Sequence, residues 1–137
     1  MKNQHDLAES WFRKADSDLT VARVLIDTEN AYDSVCFHAQ QAVEKYMKGF
    51  IEMNKQIAPK VHNLVKLNNI CAELGAPWKL STDWLSEMTD YAVQSRYELN
   101  FYPDRDTAIK ALQAAQQICS IILAAQRTIK AEDHSPQ

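Results

Sequence analysis

The chain has 137 residues, 46% of them hydrophobic and 24% charged, and a net charge of −3. That is one domain of ordinary globular composition, long enough to bury a core. Two glycines and four prolines favour long helices over a turn-rich β fold. No apolar run reaches membrane-spanning length and the start, Met1-Lys-Asn-Gln-His-Asp, has no signal-peptide core, so a cytoplasmic location is expected.

The expected architecture is all-α: an antiparallel up-and-down bundle of four long helices plus one short helix. The first helix is predicted over 6–28, opening at the capping-box spacing Asp6-Leu-Ala-Glu9, with Ala8, Phe12, Ala15, Leu19, Ala22 and Ile26 recurring at threes and fours. The second, over 31–53, is expected to be capped by Asn30 or Asp33. At 100° per residue, Val35, Ala39, Ala42, Val43, Tyr46 and Phe50 make an apolar stripe, and Gln41, Lys45, Lys48 and Glu52 a polar one, with His38 on the border. After the polar link Asn54–Lys60, a short helix over 62–74 carries Leu64, Leu67, Ile70, Cys71 and Leu74, and stops at Gly75 with Pro77 beyond. A fourth helix over 81–97 starts at Ser81-Thr-Asp83. Asp104 caps the last, over 104–130, whose Ala108, Ala111, Ala115, Ile118, Ile122, Ala125 and Ile129 form a heptad seam with room for close approach. Residues 1–130 are read as the domain and 131–137 as a frayed polar tail.

Charge is uneven: residues 1–43 carry −3, residues 44–66 carry +3 from five lysines and two glutamates, and residues 67–137 carry −3. An acidic chain is a poor general nucleic-acid binder, although the central basic segment leaves room for a local anion site. Cys36, Cys71 and Cys119 are odd in number and far apart, each inside a helical apolar pattern, and read as reduced core thiols. The sequence has no inward Glu-x-x-His pair, phosphate-binding glycine loop, nucleophile elbow or metal-site histidine spacing, so no metal or cofactor is expected.

Three motifs stand in order along the chain: His38-Ala-Gln-Gln-Ala-Val-Glu-Lys45, His62-Asn-Leu, and Ser95-Arg96-Tyr97 before a Pro-Asp. In order and spacing they resemble a prokaryotic HEPN domain over roughly residues 8–127. The resemblance implies a homodimer and a minimal nucleotidyltransferase as partner. HEPN nucleases carry an arginine followed, after four to six intervening residues, by a histidine that serves metal-free RNA cleavage as acid or base, while the arginine holds the phosphate. Arg96 matches the arginine, but Phe101, Tyr102 and Pro103 occupy the positions of the histidine. Tyr97 and Tyr102 are poor substitutes, because a phenol of ordinary pKa near about 10 shuttles protons badly at neutral pH. Arg127 and His134 repeat the spacing where a helix gives way to the tail, and are read as coincidence.

Two readings of function follow. The first is a non-catalytic module that binds a nucleotide or a partner and acts with a minimal nucleotidyltransferase, in a toxin–antitoxin or defence pair. The second is a metal-independent HEPN ribonuclease toxin with a rearranged site, in which Arg96 works with His38. A third, a plain helical assembly protein with every polar residue solvated, remains beside them. The candidate ligand-binding residues are His38, Gln41, Lys45, His62, Arg96 and Tyr97; of these, Arg96 with His38, Gln41 and Lys45 would make a cationic concavity for a phosphate, nucleotide or partner carboxylate, with RNA as a further candidate ligand. A surplus of aromatics (Trp11, Trp78, Trp84, Tyr91, Tyr97, Phe101, Tyr102) adds to the expectation of a symmetric homodimer.

Overall fold

In the computed structural model residues 3–133 are described, with side chains through residue 126. They form α1 (Gln4–Leu25), α2 (Tyr32–Met53), α3 (Leu64–Glu73), α4 (Thr82–Thr89), α5 (Tyr91–Tyr97) and α6 (Arg105–Asp133), with no strand among the described residues. Helix α2 is the axis of the bundle and touches all five others. It runs antiparallel to α1, so that Gln4 meets Glu52 and Asp18 meets His38. Of the expected tail, residues 131–133 continue α6, while 134–137 lie outside the described residues, as do the side chains of the Arg127–His134 pair.

Local chemistry sets the boundaries, and it shifts several of them. The first cap is Asn3, not Asp6: Asn3 Oδ1 accepts the Asp6 amide at 2.9 Å, and Asp6 closes the capping box from the N3 position. Neither Asn30 nor Asp33 caps α2. Asn30 takes a left-handed turn (φ 67°), and Ala31 stands at the N-cap without a side-chain bond. Asn63 caps α3, and Ser81 caps α4 as expected. Past α3, Gly75 (φ 90°) forms a Schellman turn, its amide donating to Ala72 and that of Ala76 to Cys71. The fourth predicted helix is broken in two at Asp90. Thr89 Oγ1 donates back to the Leu85 carbonyl and accepts the Leu64 amide, and a side chain bonded to the preceding turn bends a helix. Asp104 caps α6 through the Thr107 amide at 2.8 Å, a bond that holds its carboxyl below the usual range.

The apolar stripes behave as expected. All six apolar residues named on α2 are buried, as are Ala108, Ala111, Ala115, Ile118 and Ile122 of α6, while the side chain of Ile129 lies outside the described set. Arg105–Gln126 is, by length and composition, apolar enough to cross a membrane, contrary to the sequence reading. Here its apolar face is the core face packed on α2 and α1. The polar stripe of α2 is a second correction: Lys48 and Glu52 are buried, together with Gln40 and Glu44. Most of the aromatic surplus is absorbed as well. Trp78, Trp84 and Tyr91 are core, Phe101 packs on Tyr91 at 5.6 Å, and the strongly exposed aromatics are Tyr97 and Tyr102.

The three cysteines are free and buried. Burial pushes the Cys36 and Cys71 thiols up to about 12, and burial also raises the Tyr46 and Tyr91 phenols. An acid whose pKa is raised by folding favours the protonated native state. Its contribution is complete below the unfolded value, near about 8.5 for a thiol, and is lost as pH climbs through the folded value. The urea midpoint is therefore expected to fall steadily between about pH 9 and pH 12, and less steeply in a Cys36→Ala/Cys71→Ala variant. An equally steep fall in that variant would remove the thiols from the explanation.

Candidate functional site

The pairing of α1 with α2 builds the first half of the site. His38 Nδ1 lies 2.8 Å from Asp18 Oδ1, and Lys45 Nζ lies 2.6 Å from Asp18 Oδ2. One carboxylate on α1 thus holds two α2 residues a double turn apart, all three half-buried or more. The Lys45 charge is thus paired with that of Asp18. The contact of α5 with α2 builds the second half. The Arg96 guanidinium stacks over the Phe37 ring, 4.3 Å from its centroid, a cation–π arrangement. Phe37 in turn meets the His38 ring edge-on at 5.0 Å. Together the two contacts keep the guanidinium within about 10 Å of the imidazole, a gap that a ligand hydrogen-bonded at each end can fill.

The other expected members lie in a separate network. Gln41 Nε2 donates to Gln40 Oε1 at 2.6 Å, and Gln40 Nε2 to Glu44 Oε1 at 3.3 Å. Glu44 Oε2 receives Lys48 at 3.3 Å and His62 Nδ1 at 3.1 Å. His62 is exposed and serves to tie the α2–α3 link to α2; Ala58 assists by donating its amide to Glu52. The structure therefore joins His38 with Arg96, pairs Lys45 to Asp18 beside them, and assigns Gln41 and His62 to the Glu44 network. Tyr97 is 75% exposed on α5, next to Arg96 in sequence.

Sequence reasoning missed Asp18, Phe37 and the buried Gln40–Glu44–Lys48 ladder. The ladder left a signal, polar residues every fourth position at 40, 44, 48 and 52. Asp18 left none until the register of α1 on α2 is known. The arginine motif keeps its departure: Phe101 is half-buried against Tyr91, and Tyr102 projects at 86% exposure. Tyr102 and Pro103 line a surface hollow of about 360 Å³ with Glu29, Asn30, Tyr32 and Asp33, separate from the six candidate residues. Among the described residues no three His, Cys, Asp or Glu side chains gather in a way that could hold a metal.

Comparison with known proteins places this helical arrangement. A family model described as the HEPN domain matches residues 8–126. No curated protein matches the chain. The crystal structure of TT1696 from Thermus thermophilus is similar with a TM-score of 0.67 and 24% identity, over 85% of this chain and 96% of that one, a likeness of fold. The family match spans most of the chain and includes all three motif segments, so this protein belongs to the HEPN domain family.

Proposed function

We propose that this HEPN protein is a cytoplasmic, non-catalytic module that binds a nucleotide or partner through the Arg96–His38 face. It acts as a homodimer beside a minimal nucleotidyltransferase, in a toxin–antitoxin or defence pair. The observation that carries the reading is the environment of Arg96. It keeps a guanidinium presented on an aromatic ring, a good seat for a phosphate or carboxylate. The residues that follow it, Phe101 and Tyr102, are a packing group and a phenol where the nucleases carry their histidine. Val93, Tyr97, Leu99 and Tyr102, close to Arg96 in sequence, are exposed apolar or aromatic residues of the kind a second copy could cover.

A specific observation keeps the ribonuclease reading as the second one: His38 is braced by Asp18 and stands within reach of Arg96. The two readings separate on single-stranded RNA. The purified chain is expected to bind adenine nucleotides in calorimetry and to sediment at twice 15.7 kDa. It should leave RNA intact without metal. Arg96→Ala should weaken nucleotide binding about tenfold, the worth of one charge-assisted hydrogen bond. Strong metal-independent cleavage that disappears in both Arg96→Ala and His38→Ala would overturn this reading in favour of the nuclease.

A further inference from the structure

We infer that the hollow between the α1–α2 turn and the segment before α6 is a seat for an arginine side chain of a protein partner. The guanidinium pairs with the Glu29 and Asp33 carboxylates, and its flat face lies on the tyrosine rings of the wall. The inference stands apart from the nucleotide reading above, because the hollow shares no residue with the Arg96–His38 face.

The lining carries charge of one sign. Glu29, Asn30, Tyr32, Asp33, Tyr102 and Pro103 border about 360 Å³, with two carboxylates and no lysine, arginine or histidine among them. Among the described residues neither carboxylate has an ion-pair partner, and Asp33 Oδ1 accepts the Ser34 amide at 2.9 Å. Arg105, two positions beyond Pro103, is held by Asp27 at 3.2 Å. Asp104 adds a carboxylate next to Pro103, and its field and that of Asp33 help burial to raise the Cys36 thiol. The α2 N-terminus supplies roughly half a positive charge, too little to offset two carboxylates. The hollow therefore attracts a cation.

The walls select among cations. Tyr32, half-buried against the core, and Tyr102 offer ring faces, which favour a flat organic cation. A guanidinium stacks on a ring and pairs with carboxylates through its fork, whereas an ammonium is a point charge. The wall is fixed beforehand: Phe101 packs on Tyr91 at 5.6 Å on one side of Tyr102 and Pro103, and Asp104 caps α6 on the other. Little ordering is left for binding to impose. The volume is near the small end of ligand pockets, and Tyr102 is 86% exposed at the rim. An open seat of that size covers one side-chain end and leaves its stem outside. A docked polypeptide fits it better than a free metabolite, which buries most of its own surface.

The test is a ¹H–¹⁵N titration of the full chain with acetyl-Gly-Arg-Gly-amide, its lysine and citrulline counterparts, and agmatine. The arginine peptide should shift the amides of Asn30, Asp33 and Tyr102 saturably. The lysine peptide should bind about threefold more weakly, and the citrulline peptide, of the same shape without the charge, should not bind. Glu29→Gln should weaken the arginine peptide about tenfold, through loss of a charge-assisted contact, and Tyr102→Ala about threefold, with circular dichroism checking the fold. Equal binding of arginine and citrulline peptides, or no saturable shift below about 20 mM, overturns the inference. Affinity unchanged in both variants overturns it as well, by placing the peptide elsewhere. Agmatine binding more tightly than the peptide would assign the hollow to a free guanidine and overturn the docking role. The same shifts produced by raising the protein concentration alone, and lost in Glu29→Gln, would give the seat to a second copy and overturn its assignment to a different protein.

Discussion

Replacing Lys48 with Met is expected to destabilise the protein by about 3–5 kcal/mol, the usual result of stripping one partner from a buried ion pair. Lys48 and Glu44 lie 3.3 Å apart with side chains only 6% exposed, so neither can recover water when the other is lost. Glu44 would keep Gln40 and His62, which satisfy its oxygens without matching a full buried cation. Glu44→Leu should cost a similar amount, because it leaves the Lys48 ammonium with the Trp11 ring at 5.3 Å as its remaining support. The double variant Glu44→Leu/Lys48→Met should sit far closer to the native protein than the two single losses together imply, since two apolar groups of similar size remove both desolvation penalties. Urea unfolding of the four proteins reads this directly. Single losses below about 1 kcal/mol, or strict additivity, would mean that the pair behaves as if solvated.

The same ladder shows where sequence periodicity stops being informative. A helical wheel for α2 separates apolar from polar residues correctly, and every apolar position it names is buried. It then assigns Lys48 and Glu52 to water, because a wheel assumes one partner face. Helix α2 touches all five other helices, so the polar residues it buries find each other or a nearby link: Glu44 takes Lys48 and His62, and Glu52 takes Gln4 and the Ala58 amide. The clue in the sequence is the four-residue spacing of the polar residues, which lets carboxylates and an ammonium meet within one helix.

The candidate site was legible in pieces for a related reason. His38 and Arg96 stand out as residues of a motif, and the bundle does bring them to one face. What lies between and behind them is set by tertiary register. Phe37 matters because α5 crosses α2 at that point, and Asp18 because α1 runs antiparallel with Asp18 opposite both His38 and Lys45. Gln41 and Lys45 share the polar side of α2 with His38, yet closer partners divert both. The helix ends failed differently. Asp6 and Asp33 are sound capping residues by type, but Asn3 lies one turn earlier and an uncapped Ala31 begins α2, so capping chemistry alone does not say which candidate wins.

Phe12→Ala is expected to cost about 3–5 kcal/mol, and its consequence for Gly49 makes the stronger test. Phe12 is 5% exposed on α1, with its ring lying against the backbone of Gly49 on α2. A Cβ placed on Gly49 would stand 2.6 Å from Phe12 Cδ1 and closer still to Cε1. By helix propensity alone, Gly49→Ala should stabilise by about 1 kcal/mol. In the native core the clash outweighs that gain, because overpacking costs about 1–3 kcal/mol and a buried ring has nowhere to swing. Gly49→Ala should therefore destabilise by about 1 kcal/mol in the native background. With Phe12 already cut to Ala the clash is gone, the added methyl fills part of the cavity, and the propensity gain survives. The sign of Gly49→Ala should reverse, making the double variant more stable than Phe12→Ala alone by about 1 kcal/mol. Gly49→Ala costing the same in both backgrounds would show that something other than the Phe12 ring demands glycine there, and that the close approach of α1 to α2 has been assigned to the wrong contact.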